Sequence, residues 1–207
     1  WPDQLSMDRG PAMSSLTHEQ QLFEETLVKA VRRVSPLEKV QRLDQAKRFD
    51  DELHQALAGL GIWGLGVPEE DGGCGGTNVE QMLALRALGD LSTSTAVFCV
   101  VQFLITRLLK DNASTAQKAR YLAPLAAGKV KASFCLTEAA GGTDILRAMT
   151  TRAEPVAGGY RLSGTKMWIS GASTSDFYVV LARTAPGKTD GVSMMFVPAR
   201  AKGVTAR

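Results

Sequence analysis

Chemically useful side chains concentrate between Phe134 and Ser170. A β-favouring run ends at Thr137 and is followed by Glu138, two alanines and Gly141-Gly142-Thr143-Asp144. Glycines after a strand leave backbone N–H groups free to converge on an anion, and the Thr143 hydroxyl adds a donor, so a phosphate can sit there. Further on, GYRLSGTKMWISG places Trp168 among small and polar residues that suit a strand. Its indole can lie against a planar ring, a contact worth about 0.5–1.5 kcal/mol beyond burial. Ser170, two positions on, shares a face with Trp168 if both lie in that strand, which sets a hydroxyl beside a stacking surface. Thr137, Thr143, Trp168 and Ser170 can therefore surround one flat ligand. Each feature alone has a structural alternative: two glycines and a hydroxyl also make an ordinary turn, and a tryptophan in a strand also serves a core.

The elements that must hold these residues read as α+β, an N-terminal helical bundle followed by a mainly antiparallel β-domain that forms an incomplete barrel or sandwich. Residues 1–15 read as a loose leader, 16–128 as the helical domain and 129–207 as the β-domain. Thr17 with Gln20 is a capping-box pattern that opens a first helix, stopped by Pro36. A second helix is expected from about Asp44 to Leu60, a third from Thr77 or Asn78, and a fourth from Ser94 to Lys110. The fourth is apolar nearly all round, the mark of a helix at the centre of a bundle. Ser114 with Gln117 caps a fifth that ends at Gly128, with Pro124 placed to kink or shorten it. Between them GIWGLGVPEEDGGCGG is a glycine-rich loop of turns and close backbone approaches. After Gly128 the period alternates, with strands expected at 131–137, 149–153, 160–170, 177–183 and 191–197 and a hairpin turn at Gly158-Gly159.

Bulk properties narrow the class. Apolar residues make up 44% of 207 and charged residues 22%, enough for a core and against disorder. The net charge of +3 is too slight and scattered for nucleic acid. Cys74, Cys99 and Cys135 are odd in number and lack metal-ligand spacing, which points to a reducing compartment with neither zinc nor a disulfide framework. The longest apolar run, Ala96 to Ile105, is interrupted by Gln102 and falls short of the ~20 residues that span a bilayer. A protein of the bacterial cytoplasm or the mitochondrial matrix, not secreted, is expected.

FCLTEAAGGTD, MTTRAE and GGYRLSGTKMWISGA together resemble the middle-domain signature of the acyl-CoA dehydrogenase family, Phe/Tyr-Cys-x-Thr-Glu-x-x-x-Gly-Ser/Thr-Asp followed by Gly-x-Lys-x-Trp-Ile-Ser/Thr. VPEEDGGCGGT is similar to a turn in the family's helical N-terminal domain. The resemblance covers about Leu16 to Val204 and implies FAD as cofactor. Carried over residue by residue, it implies that Phe134, Leu136 and Thr137 contact the isoalloxazine ring, that Gly142 and Thr143 line the diphosphate, and that Thr143 also touches an acyl-CoA substrate. Trp168 would flank the flavin, Ile169 would lie beside it, and Ser170 would offer its hydroxyl to N5. The implied reaction is α,β-dehydrogenation of an acyl-CoA thioester, with an electron-transfer flavoprotein or similar acceptor and a homodimeric or homotetrameric assembly. The turn departs from the family in having Ala139 where many members have proline, and in shifting one glycine.

In the family a second helical bundle after the β-domain carries the catalytic glutamate. No residue here is therefore assigned as base, which is expected beyond Arg207, and the chain reads as a fragment or truncation. A related oxidase or monooxygenase on the same scaffold, and a non-catalytic flavin- or partner-binding module, are the alternatives. Other titratable groups take structural readings: Glu138 in a hydrogen bond or buried pair, Asp144 capping its turn, His18 and His54 solvated, Cys135 buried, and Arg161 and Lys166 as surface charges.

Overall fold

Several helix starts in this chain are set by side chains that accept an otherwise unpaired backbone N–H. The computed structural model describes residues 16–206. The expected leader over 1–15 lies outside the described residues, as does Arg207, beyond which the base is expected. Thr17 and Gln20 form a reciprocal capping box at the start of α1 (His18–Val34), which buries Leu27 and Val31. Pro36 ends it, yet instead of a loop it leads into α2 (Leu37–Gln45). The helix expected from about Asp44 starts later than that: Lys47 takes a left-handed backbone after α2, and Asp50 caps α3 (Asp51–Gly59) by accepting from the Leu53 N–H at 3.0 Å. Leu37, Val40 and Leu43 recur at helical spacing in α2, a pattern that the expected boundaries overlooked. Lys39 secures it by donating to the Val34 carbonyl at 3.0 Å and pairing with Asp50 at 2.9 Å.

The glycine-rich loop folds into two short 3-10 turns, Ile62–Gly64 and Glu69–Asp71. Gly73 lies so close to Val67 that a Cβ there would overlap its backbone, which is why this loop tolerates no side chain at that point. Thr77 with Glu80 caps α4 (Asn78–Gly89), and Ser92 caps α5 (Thr93–Asn112). The last helical segment runs through α6 (Thr115–Gln117), a π-helical turn (Lys118–Leu122) and α7 (Ala123–Ala126). Pro124, in the first turn of α7, has no N–H to give the preceding turn, and the wider π turn before it is the observed distortion.

Helix α5 joins the two cores. Phe98, Cys99 and Phe103 belong to one, with Leu27, Leu53, Leu57, Trp63 and Leu88, while Ile105 and Leu109 belong to the other, with Leu122, Leu125, Ala132, Phe177 and Val179. It is not enclosed on all sides: Val97, Val100 and Leu104 face outward among the described residues. By length and composition alone α5 is apolar enough to cross a membrane, which the interrupted run in the sequence had not indicated. The interrupting Gln102 is buried, and its amide donates to the Ala132 carbonyl at 2.8 Å and accepts from the Ala132 N–H at 3.1 Å.

Ala132 opens β1 (Ala132–Cys135), followed by α8 (Ile145–Ala148), β2 (Arg152–Val156), β3 (Gly159–Ser163), β4 (Phe177–Arg183) and β5 (Val192–Pro198). β4 is the axis of the sheet. β5 pairs with it antiparallel along its length, while β1 pairs parallel over Phe177 to Val180 and β2 joins parallel at Arg183. β2 and β3 make the expected hairpin, turning through Ala157 and Gly158 with Gly158 left-handed. The sheet is mixed: its longest pairings, β4 with β5 and β2 with β3, are antiparallel as expected, while β1 joins β4 parallel because the long excursion between them returns the chain in the same direction, and the sheet does not close.

His54, expected at the surface, is buried and stacks on Trp63 with ring centroids 4.7 Å apart. The Trp63 indole N–H donates to the His54 carbonyl at 3.0 Å. Burial, with the Lys131 charge adding to it, pushes the His54 pKa down from 6.5 to about 4. The unfolded chain therefore binds a proton that the fold excludes, so this contribution to stability is intact above pH 6.5 and falls progressively between pH 6.5 and 4, by up to about 3 kcal/mol. Urea unfolding across this range is expected to show that slope, and His54→Phe should flatten it. Gln102→Leu is expected to cost about 2–4 kcal/mol in the same assay, because both Ala132 backbone groups lose their partner in a dry interior.

Candidate functional site

The segment 164–170 lies along β1 and its extension, held by backbone and side-chain bonds that run in opposite chain directions. The Met167 N–H donates to the Thr137 carbonyl at 2.9 Å, and the Ser133 hydroxyl donates to the Ser170 carbonyl at 2.7 Å. This brings Thr137, Trp168, Ile169 and Ser170 to one edge. Glu138 and Gly141 then bridge each other, closing a tight turn from which Gly142 and Thr143 emerge on the exposed surface. Gly141 is required there for packing, since a Cβ would meet that of Ala148 at 2.5 Å, whereas a Cβ on Gly142 would meet nothing of the protein.

Trp168 and Ser170 are not in a strand. β3 stops at Ser163, and Gly164 follows against Thr151 so closely that a Cβ would collide with it, so the chain leaves the sheet there. Trp168 holds a left-handed backbone (φ 58°) and is 85% exposed, so it is not a core tryptophan. A bulky residue in that conformation is strained by about 1–3 kcal/mol, and such strain persists only where the surroundings hold it. Phe134 turns its ring partly into the second core, which leaves its backbone for any ligand, while Leu136 and Ile169 are half-buried.

Beneath this edge sits Glu138, 5% exposed. Its carboxylate accepts from the Thr150 N–H and hydroxyl, both at 2.6 Å, from the Thr151 N–H at 3.0 Å and from Lys166 Nζ at 2.8 Å. Burial raises its pKa, but the Lys166, Thr150 and Thr151 donors together outweigh burial and hold the carboxyl well below the ordinary range. Lys166, expected at the surface, is buried in this pair and also donates to the Leu136 carbonyl at 3.1 Å. Its place in the Gly-x-Lys-x-Trp run was the usable signal, but spacing alone did not show which way it pointed. Asp144 makes no cap and instead pairs with Arg147 at 3.3 Å. Burial raises the Cys135 thiol to about 11, Lys166 opposing, so it is inert as a nucleophile. Arg161 is on the surface, as expected.

The polar atoms on the edge are unengaged. Among the described residues, neither the hydroxyls of Thr137, Thr143 and Ser170 nor the Trp168 indole N–H have an internal partner. Free hydroxyls beside an exposed indole, next to an open glycine turn, suit a flat ring with a phosphate-bearing tail.

The family model for the acyl-CoA dehydrogenase N-terminal domain matches residues 17–129, and that for the middle domain matches residues 133–207. The chain belongs to the acyl-CoA dehydrogenase family. It is 32% identical over 178 residues to the mitochondrial short/branched chain specific acyl-CoA dehydrogenase of Bos taurus, covering 84% of this chain and 40% of that protein. Butyryl-CoA dehydrogenase from Megasphaera elsdenii superposes with a TM-score of 0.83 at 28% identity, over 91% of this chain and 50% of that one. A glutaryl-CoA dehydrogenase from Mycobacterium smegmatis in complex with FADH2 does so with 0.83 at 27% identity, over 93% and 48%. The chain thus spans about half the length of the family members it matches, and the α+β architecture is that of the family.

Ser170 owes its position to Gly171, which is left-handed (φ 75°) and abuts Phe98 of α5, where a Cβ would lie 2.9 Å from the ring. Gly171→Ala is expected to destabilise by about 1–3 kcal/mol, from the backbone penalty and the clash together, and to lower the thermal midpoint measurably. An unchanged midpoint would show that the loop carrying Ser170 is not anchored on α5.

Proposed function

We propose that this chain supplies the flavin-binding part of an FAD-dependent acyl-CoA dehydrogenase that oxidises a thioester at its α and β carbons. The observation that carries the reading is the exposed, strained Trp168 held beside the unengaged hydroxyls of Thr137 and Ser170. Family membership supports it, as does the M. smegmatis relative, which is in complex with FADH2. FAD, when bound, supplies the acceptor for the hydride that leaves the β carbon.

The chain's own residues bind and orient. Phe134 and Leu136 contribute backbone and apolar contact to the ring, Thr137 a hydroxyl, Trp168 a flanking face and Ile169 a neighbouring one. Ser170 offers its hydroxyl at N5, where a donor favours arriving electron density. Gly142 leaves room for the diphosphate and Thr143 donates to it, while also reaching the acyl-CoA. The α proton must go to a carboxylate, and no residue of this chain is assigned that role. Glu138 is buried, ionised and fully occupied by its four donors. The base is sought beyond Arg207, in the length of the relatives that this chain does not span.

An electron-transfer flavoprotein or similar acceptor would reoxidise the cofactor, in a homodimer or homotetramer. The compartment proposed is the mitochondrial matrix or a bacterial cytoplasm. The helical domain at 16–128 and β-domain at 129–207 would divide the work, with the second carrying the ring.

The full-length protein is expected to purify yellow, or to become so with added FAD, and to bleach anaerobically with an acyl-CoA. A colourless protein that cannot be reconstituted would overturn the reading, and a yellow one that no acyl-CoA bleaches would retain the cofactor but not the substrate. The 207-residue chain alone is expected to show no turnover.

A further inference from the structure

The Glu138–Lys166 pair has more geometry than charge neutralisation needs. A buried ion pair adds little net stability over an apolar pair of similar volume, so its worth lies in what it orients. Glu138 ties three stretches together: its own turn, Thr150 and Thr151 before β2, and Lys166 on the segment that carries Trp168. With a second donor, Lys166 reaches the Leu136 carbonyl at 3.1 Å.

That carbonyl belongs to the same peptide group as the Thr137 N–H. A trans peptide is planar, with N–H and C=O pointing in opposite directions, so a bond that fixes the oxygen also aims the N–H. Among the described residues the Thr137 N–H has no internal acceptor, although the Thr137 carbonyl is bonded to the Met167 N–H. The peptides on both sides of Thr137 are therefore pinned, and the donor left over is opposite an ammonium. Hydrogen bonds in such a chain polarise one another, strengthening the terminal donor by about 10–30%.

We propose that Lys166, held by Glu138, is a positioning residue for the cofactor: it fixes and polarises the Leu136–Thr137 peptide so that the Thr137 N–H donates to an acceptor atom of the flavin ring. This rests on the flavin reading above. A donor aimed at the ring favours its electron-rich reduced form over the oxidised one, so the pair acts on the reduction potential as well as on affinity.

The test uses the full-length protein, titrated with FAD while ring fluorescence is followed, and then measured for flavin reduction potential. The variants are Lys166→Met and the doubly neutral Glu138→Gln/Lys166→Met, which leaves no uncompensated buried charge. Lys118→Met, which removes the 2.7 Å pair with Asp71 in the helical region, is the control. In each variant that folds by circular dichroism, FAD is expected to bind about tenfold more weakly, the loss of one good hydrogen bond, and the potential to become more negative. The control should change neither. Wild-type affinity and potential in a folded variant would overturn the inference, as would failure of both variants to fold, which would make the pair a stability element. Wild-type protein that binds no FAD would remove the flavin reading itself, a result distinct from either.

Discussion

Strand β1 must satisfy its backbone in a place that water does not reach, and much of the molecule is arranged around how it does so. One edge pairs with β4, and at Ala132 both remaining backbone groups are taken by the Gln102 amide from α5. An unpaired peptide group there would cost about as much as a hydrogen bond or more, so the Gln102 amide fixes where α5 meets β1. Everything that follows β1 inherits that placement. The Ser133 hydroxyl holds the Ser170 carbonyl, Thr137 holds Met167, and Gly171 fits against Phe98 on the same helix that supplies Gln102.

The candidate edge is built by contrast. Its backbone is over-determined, by the Glu138 donors behind it and by Gly171 beneath it, while its outward polar atoms are left without partners. That combination permits Trp168 to keep a left-handed conformation with its indole in the open. Rigid support with unspent donors is the arrangement expected of a surface that receives a large planar ligand, because ordering has already been completed during folding. The acidic carboxyl nearest the edge already accepts from four donors, which hold its pKa low and make it a weak base.

Resemblance names Lys166 only as a letter in a run. Its burial, its bond to Glu138 and its reach to the Leu136 carbonyl give it a physical role. His54 is a parallel case: a histidine among polar neighbours in sequence, yet stacked on Trp63 and held neutral by burial in the fold.

The amino-acid sequence by itself determined where several helices begin, because capping depends on residues three apart, as at Thr17, Thr77 and Ser114, but not the starts of α2 and α3. It also determined the helices-then-strands order and the glycine turns, since local backbone preference decides both. The stretch from Phe134 to Ser170 was legible as a candidate site for the same reason: its residue types are adjacent in the chain. Only tertiary structure decided the parallel pairing of β1 with β4, the departure of Trp168 and Ser170 from a strand, the outward face of α5 and the burial of Lys166 and His54. Those depend on partners many residues away, such as Thr151 behind Gly164 and Glu138 beside Lys166. A period of two or of 3.6 cannot report them, because it describes the chain's own repeat and not what the repeat meets.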